Sequence, residues 1–193
     1  MDVAIVGTGF IGGILGRALA GAGHTVTFGS RSPESDQVAE GTSARVASVG
    51  DALGSADTVI LALPGVAVAP LAAEHGGALA GKLVIDATNQ MGQPVPNSRA
   101  SLPASVRYAR AFNTVGGENM ADPVFAGVRA DMFFSAPEAD QQTVAAVVEG
   151  VGLRPVYVGA DREALIDALF QLWIALAIGQ GRGRRLALRL LEG

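Results

Sequence analysis

Two short groups of residues carry types and spacings that do chemistry. Gly7-Thr8-Gly9-Phe10-Ile11-Gly12 sets three glycines at G-x-G-x-x-G, and Gly29-Ser30-Arg31-Ser32 follows about twenty residues on. In the first group Gly7 allows a tight turn, Gly9 lets backbone approach a pyrophosphate, and Gly12 lets a helix pack on a strand. The amino end of that helix offers unpaired N–H groups and a partial positive charge to phosphates. The second group occupies the place where an Asp or Glu would accept the ribose hydroxyls of NAD. It holds a guanidinium and two hydroxyls instead, with no acid before Glu34. Arginine donates in a fork that matches phosphate oxygens, so Ser30, Arg31 and Ser32 are expected to cradle the 2′-phosphate of NADP(H). An ordinary polar turn before Pro33 is the alternative.

A glycine triplet alone is weak in a chain with 26 glycines, so its setting decides. The run Asp2 to Val6 (DVAIV) precedes it as a buried strand, Ile11 to Ala22 supplies apolar residues at helical spacing, and Thr25 to Phe28 reads as the second strand. Strand and helix signals go on alternating, as in a parallel sheet covered on both faces. Expected strands are Arg45 to Ala47, Asp57 to Leu63, Lys82 to Ala87, Val106 to Phe112, Asp131 to Ser135 and Leu153 to Val158. Expected helices are Val49 to Leu53, Val66 to Ala78, Glu138 to Val151 and the stretch from Asp161 onward, in which Gly179, Gly181 and Gly183 suggest a kink or close packing instead of a uniform helix, with Gln93 to Pro103 as an extended loop. The fold class is therefore α/β, a doubly wound parallel Rossmann sheet with a carboxyl-terminal helical tail. Residues 1–160 are expected to form the NADP-binding domain, and 161–193 a helical segment packed on it that mediates dimerisation.

Ligands of open parallel sheets sit beyond the carboxyl ends of the strands. Ala62-Leu63-Pro64, Asp86-Ala87-Thr88-Asn89 and Ala111-Phe112-Asn113-Thr114 end there. The expected cofactor contacts are thus Gly7, Thr8, Gly9, Phe10, Ile11, Gly12, Ser30, Arg31, Ser32, Leu63, Pro64, Asn89, Ala111 and Asn113. Asn89 and Asn113 have the alternative of capping turns.

Composition bounds the rest. The chain has 193 residues, 49% of them hydrophobic, a net charge of −4 and dispersed basic residues, so nothing points to nucleic acid. The absence of Cys excludes disulfides and thiolate metal sites, and two histidines, His24 and His75, do not make a metal centre. The first strand begins at residue 2, and the apolar run Ala168 to Ile178 is shorter than the roughly 20 residues a bilayer requires. A cytoplasmic protein without membrane or metal partners is expected.

Gly7 to Gly12, Ala22-Gly23-His24, Gly29-Ser30-Arg31-Ser32 and Gly152-Leu153-Arg154-Pro155 resemble the deazaflavin-dependent NADP reductases. Ala164 to Leu191 is similar in layout to that family's helical tail, and Ala111 to Thr114 is similar to the cytosolic reductase domain of six-transmembrane ferric reductases. The resemblance implies hydride transfer between NADP(H) and coenzyme F420, an 8-hydroxy-5-deazaflavin, with a free flavin or a quinone as the next acceptors. It implies no catalytic side chain, because transfer between stacked rings depends on orientation and exclusion of water. A module that holds NADP(H) without turnover is the alternative. Tyr108 and Tyr157 lack a lysine four residues on, and Lys82 is the single lysine, which disfavours the short-chain and hydroxyacid dehydrogenases.

Other residues carry structural expectations. His24 is expected in a turn, His75 in solvent, Met120 in the core, and Asp86 in structural hydrogen bonds or beside a ribose. Glu118 is expected to cap a helix or face a substrate proton. Leu165, Leu169, Trp173 and Leu176 repeat at helical spacing among further apolar residues, and a helix apolar nearly all round requires burial on two sides. A homodimer through this helix is expected. Arg182, Arg184, Arg185 and Arg189 are expected to form a solvated helix end, with an anionic second cofactor as the alternative.

Overall fold

A computed structural model describes residues 1–89, 98–191 and 193, and the chain divides into two compact units, Met1–Tyr108 and Ala109–Gly193.

The first unit alternates strand and helix as β1 (Asp2–Val6), α1 (Phe10–Gly21), β2 (Thr25–Ser30), β3 (Arg45–Ser48), α2 (Val49–Gly54), β4 (Thr58–Leu61), α3 (Val68–Leu79), β5 (Leu83–Asp86), α4 (Ser98–Ser101) and the start of β6 (Arg107–Arg110). The strands form one sheet in the order β3-β2-β1-β4-β5-β6, with β1 to β5 parallel. The inner strands β1, β4 and β5 are buried on both faces, which is why they read as nearly continuous apolar runs, whereas the edge strand β3 is only partly buried. Ala4 and Val6 face a core of Leu53, Val59, Leu61, Leu79 and Val84. Ile5 and its register partner Phe28 point to the opposite face, where Gly16 of α1 lies against the Phe28 ring. A Cβ on Gly16 would stand 2.0 Å from Phe28 Cζ, so the helix can sit this close only without a side chain there. The doubly wound sheet is as expected.

Local differences are small. Gly65–Ala67 forms a 3-10 turn before α3, and α3 is broken at His75 (φ −119°). Of the expected loop, residues 93–97 fall outside the described residues, and Ser98–Ser101 is helical.

The second unit contains α5 (Gly117–Ala121), a small hairpin of β7 (Val124–Phe125) and β8 (Val128–Arg129), then β9 (Asp131–Phe134), α6 (Gln141–Gly150), β10 (Arg154–Tyr157) and α7 (Glu163–Ile174). Positive φ at both Ala126 (49°) and Gly127 (82°) closes the hairpin with the turn twist that antiparallel strands favour. The strands expected near Asp131 and Leu153 are present, but they pair in parallel with each other as a separate two-stranded sheet. Arg110 meets Ser135 only through an isolated bridge (N···O 2.8 and 3.1 Å), which attaches no further ladder.

The tail departs most from expectation. Helix α7 runs into a π-helical turn at Ala175–Gly179, and the chain beyond it is irregular. Gly181 (φ 64°) and Gly183 (φ 83°) adopt left-handed backbone that ends a helix. Of the four arginines expected at a solvated helix end, Arg182 is exposed and the other three are ion-paired outside any helix. Arg184 pairs with Glu118, Arg185 with Asp122 at 2.7 Å, and Arg189 with Asp131 at 3.3 Å. Asn119 Nδ2 donates to the carbonyls of Arg184 (2.8 Å) and Leu186 (3.0 Å), and Trp173 Nε1 donates to Leu186 O (2.8 Å). Asp131, wholly buried, accepts both Arg154 Nε (2.6 Å) and Nη2 (2.7 Å) as well as the Leu190 N–H (2.6 Å). The last residues are therefore strapped down by directional bonds rather than helical packing.

In α7 the buried face is Ile166, Phe170, Trp173 and, beyond its end, Ala177. Trp173 is thus a core residue, and the exposed apolar side chains are Leu165, Leu172 and Ile178.

Candidate dinucleotide-binding site

The strand order reverses between β1 and β4, the crevice where open α/β sheets bind ligands. The chain leaves β1 through Gly7, whose φ of 112° is open to glycine and whose Cβ would fall 2.3 Å from Ala62 O at the end of β4. Gly12, in the first turn of α1, would place a Cβ 1.9 Å from Gly7 O. Both glycines are therefore required by packing alone. Gly9 differs: it caps α1 with extended backbone, and a Cβ there would meet nothing within 4 Å. The space above Gly9 is open beside the unpaired first N–H groups of α1, the arrangement that suits a pyrophosphate.

The other expected residues of the first unit gather around this loop in part. Leu63 Cδ2 lies 3.4 Å from the Cβ position of Gly7, and Pro64 is exposed beyond it. Phe10, at the first position of α1, is 63% exposed, and Ile11 is half-buried. Asn89 is half-buried three residues after β5. Ser30 ends β2 with its hydroxyl inside the protein, accepting the Ser32 N–H at 3.1 Å. Arg31 is exposed and makes no ion pair or hydrogen bond among the described residues.

The spacing did not reveal Asp36. A 3-10 turn, Pro33–Ser35, returns the chain so that Ser30 Oγ donates to Asp36 Oδ2 at 2.8 Å and the Val38 N–H reaches Oδ1 at 3.1 Å. The Thr8 hydroxyl lies on the same side and helps to lower the pKa of that carboxylate. Burial raises the Asp36 pKa, but Thr8, Ser30 and Val38 outweigh it and hold the group below the ordinary carboxylate value.

Ala111 and Asn113 belong to the second unit, both buried. Between them Phe112 holds a φ of 69°, rare for a bulky residue, with its N–H on Met132 Sδ at 3.2 Å. The Thr114 hydroxyl reaches the same sulfur at 3.5 Å.

Several side chains resolve to structural roles. The buried Asp86 accepts Tyr108 Oη (2.7 Å) and the Thr88 N–H (2.8 Å). Tyr157 Oη donates to Ala136 O (3.0 Å), and Lys82 Nζ to Ala56 O (2.8 Å). Glu118 does not cap its helix with its side chain but pairs with Arg184. Its bond with Arg184 lowers its pKa and keeps it ionised. Met120 is core. Burial and the nearby amino terminus lower the pKa of His24, whose backbone N–H donates to Leu19 O at 3.0 Å. Among the described residues no three acidic or histidine side chains cluster to hold a metal, and no helix is long and apolar enough to cross a membrane.

Residues 2–90 match the family model described as NADP oxidoreductase, coenzyme F420-dependent. No curated protein matches the chain. A structure from Arthrobacter sp. FB24, provisionally described as an F420-dependent NADP-reductase, is similar with TM-score 0.79 at 23% identity, over 98% of this chain and 99% of its own. A hypothetical protein of Sinorhizobium meliloti is similar with TM-score 0.70 at 25% identity, over 100% of this chain and 96% of its own. A reductive aminase of Aspergillus terreus, in complex with NADPH4, cyclohexanone and allyl amine, gives TM-score 0.74 at 20% identity, over 93% of this chain and 62% of its own. The likeness to the Arthrobacter and Aspergillus proteins is one of fold. With the amino-terminal family match, it places the chain in the superfamily of Rossmann-fold NAD(P)-binding oxidoreductases.

Proposed function

We propose that this chain is an NADP(H)-dependent oxidoreductase whose hydride acceptor or donor is a deazaflavin such as coenzyme F420, with a flavin or a quinone next in line. The observation that carries the cofactor is the pairing of an open glycine loop with an unpartnered guanidinium. Gly9 leaves room above the amino end of α1, and Arg31 stands exposed without an internal anion. Gly7, Thr8, Gly9, Phe10, Ile11 and Gly12 would hold the pyrophosphate, Ser30, Arg31 and Ser32 the 2′-phosphate, and Leu63 and Pro64 the path beyond it. Asn89, Ala111 and Asn113 complete the proposed contacts. The nicotinamide, when bound, supplies the hydride.

The polypeptide then has to orient and to exclude water, work that can remove several kcal/mol of barrier. Both tyrosine hydroxyls and the only lysine are engaged in structural hydrogen bonds, which supports a reaction that needs no side-chain acid. The family match over residues 2–90 supports the deazaflavin as acceptor. The exposed Leu165, Leu172 and Ile178 support a homodimer formed through α7 and the turn that follows it.

Steady-state oxidation of NADPH with coenzyme F420, run beside FMN, FAD and a quinone, tests the reaction. Fast turnover with the deazaflavin is expected. Turnover only with flavin or quinone discards the named acceptor, and binding of NADPH without turnover in any of the four discards the enzyme in favour of a sensor.

A further inference from the structure

The 2′-phosphate cradle proposed above already contains an anion, and it belongs to the protein. Asp36 draws the Ser30 hydroxyl onto Oδ2 and the Val38 N–H onto Oδ1. An ionised carboxylate only accepts hydrogen bonds, and so does a phosphate ester. Ser30 has one proton to give. It therefore serves Asp36 or a phosphate, and not both.

We propose that Asp36 is a built-in competitor for the 2′-phosphate and a determinant of cofactor selectivity: NADP(H) seats only when this carboxylate gives up Ser30. The inference rests on the NADP(H) reading. Two observations favour competition over the other role open to an acid here, accepting a ribose diol. Each oxygen of the carboxylate is already supplied with a donor, Ser30 on Oδ2 and the Val38 N–H on Oδ1. Among the described residues its neighbour Arg31 makes no ion pair or hydrogen bond, although an acid five residues on lies in the same turn. A site built for the ribose of NAD gains nothing from that cation, whereas a 2′-phosphate does. Asp36 is also only half-buried and follows an exposed turn, so its departure disturbs no core.

The experiment is calorimetric titration of the full chain with adenosine 2′,5′-bisphosphate, adenosine 5′-phosphate, NADPH and NADH. It compares wild type with Asp36→Asn and Asp36→Ser, each checked for an unchanged melting temperature. Both variants are expected to bind the bisphosphate and NADPH about tenfold more tightly than wild type, with the monophosphate and NADH little changed. Unchanged or weakened NADPH binding in both variants, while wild type still prefers NADPH, overturns the competitor and leaves the NADP(H) reading intact. A wild type that prefers NADH, and loses it on Asp36→Asn, overturns both, because Asp36 is then a ribose acceptor.

Discussion

The two units of this chain are held together by different means. In Met1–Tyr108 a sheet with strands buried on both faces supplies the cohesion, and the most demanding positions are glycines pressed against backbone or an aromatic ring. In Ala109–Gly193 the sheet has only two strands per ladder, and side chains take over. Arg110, 1% exposed, donates to Asp167 through Nε (3.0 Å) and Nη2 (2.9 Å), and Asp131 gathers Arg154, Arg189 and a backbone N–H. The Arg185 guanidinium also lies 4.0 Å over the Phe125 ring. Cohesion from apolar burial is non-directional and tolerates conservative exchange. Cohesion from buried charge fails when one partner is lost, because the other remains desolvated. One unit should therefore be sensitive to added volume, the other to removed charge.

The largest expected effect breaks the first unit at its glycine loop. Gly12→Ala forces a methyl against Gly7 O, backbone that cannot swing aside. Overpacking of this kind costs about 3 kcal/mol, which lowers the melting temperature by roughly 10 °C in a chain of this length. Dinucleotide binding should be lost in calorimetry even below that temperature. Near-normal binding would show that the loop does not depend on this contact.

Asp131→Asn sharpens the contrast in the second unit. It keeps the volume and removes the charge that Arg154 and Arg189 face. A loss of about 3 kcal/mol is expected in urea unfolding, discounted from the upper end because both arginines are partly exposed. Limited proteolysis should then cleave within residues 184–191, where the strap is anchored. The smallest effect on stability belongs to Leu172→Glu on the exposed side of α7. It should move the unfolding free energy by less than about 0.5 kcal/mol, yet convert dimers to monomers in light scattering. An unchanged dimer removes α7 as the interface.

The same contrast decides what was legible beforehand. Buried parallel strands leave continuous apolar runs, and a glycine loop between strand and helix has a fixed spacing, so β1, α1 and the sheet could be read directly. Asp36 left no such trace. It reaches Ser30 through an irregular turn, with no period to mark it. In the second unit periodicity is a weaker guide. The tail after Ile174 is apolar and arginine-rich like a helix, but Gly181 and Gly183 turn it left-handed, and Glu118, Asp122 and Asp131 take its arginines. In α7 Glu163, Asp167 and Gln171 recur every four residues and mark one side, but every position between them is apolar, so residue type alone does not separate buried Trp173 from exposed Leu172. Asp131-to-Phe134 and Arg154-to-Tyr157 read correctly as strands, while their partner choice depends on contacts that carry no local pattern.

The central claim is that Arg31 receives the phosphate that distinguishes NADP(H) from NAD(H). Titration of wild type and Arg31→Ala with NADPH and with NADH tests it directly. Wild type should prefer NADPH, and the variant should lose roughly 10- to 100-fold of that affinity, the worth of a charge-assisted hydrogen bond, with NADH almost unaffected. Equal losses for the two cofactors, or a wild type that binds NADH as tightly as NADPH, would contradict the account.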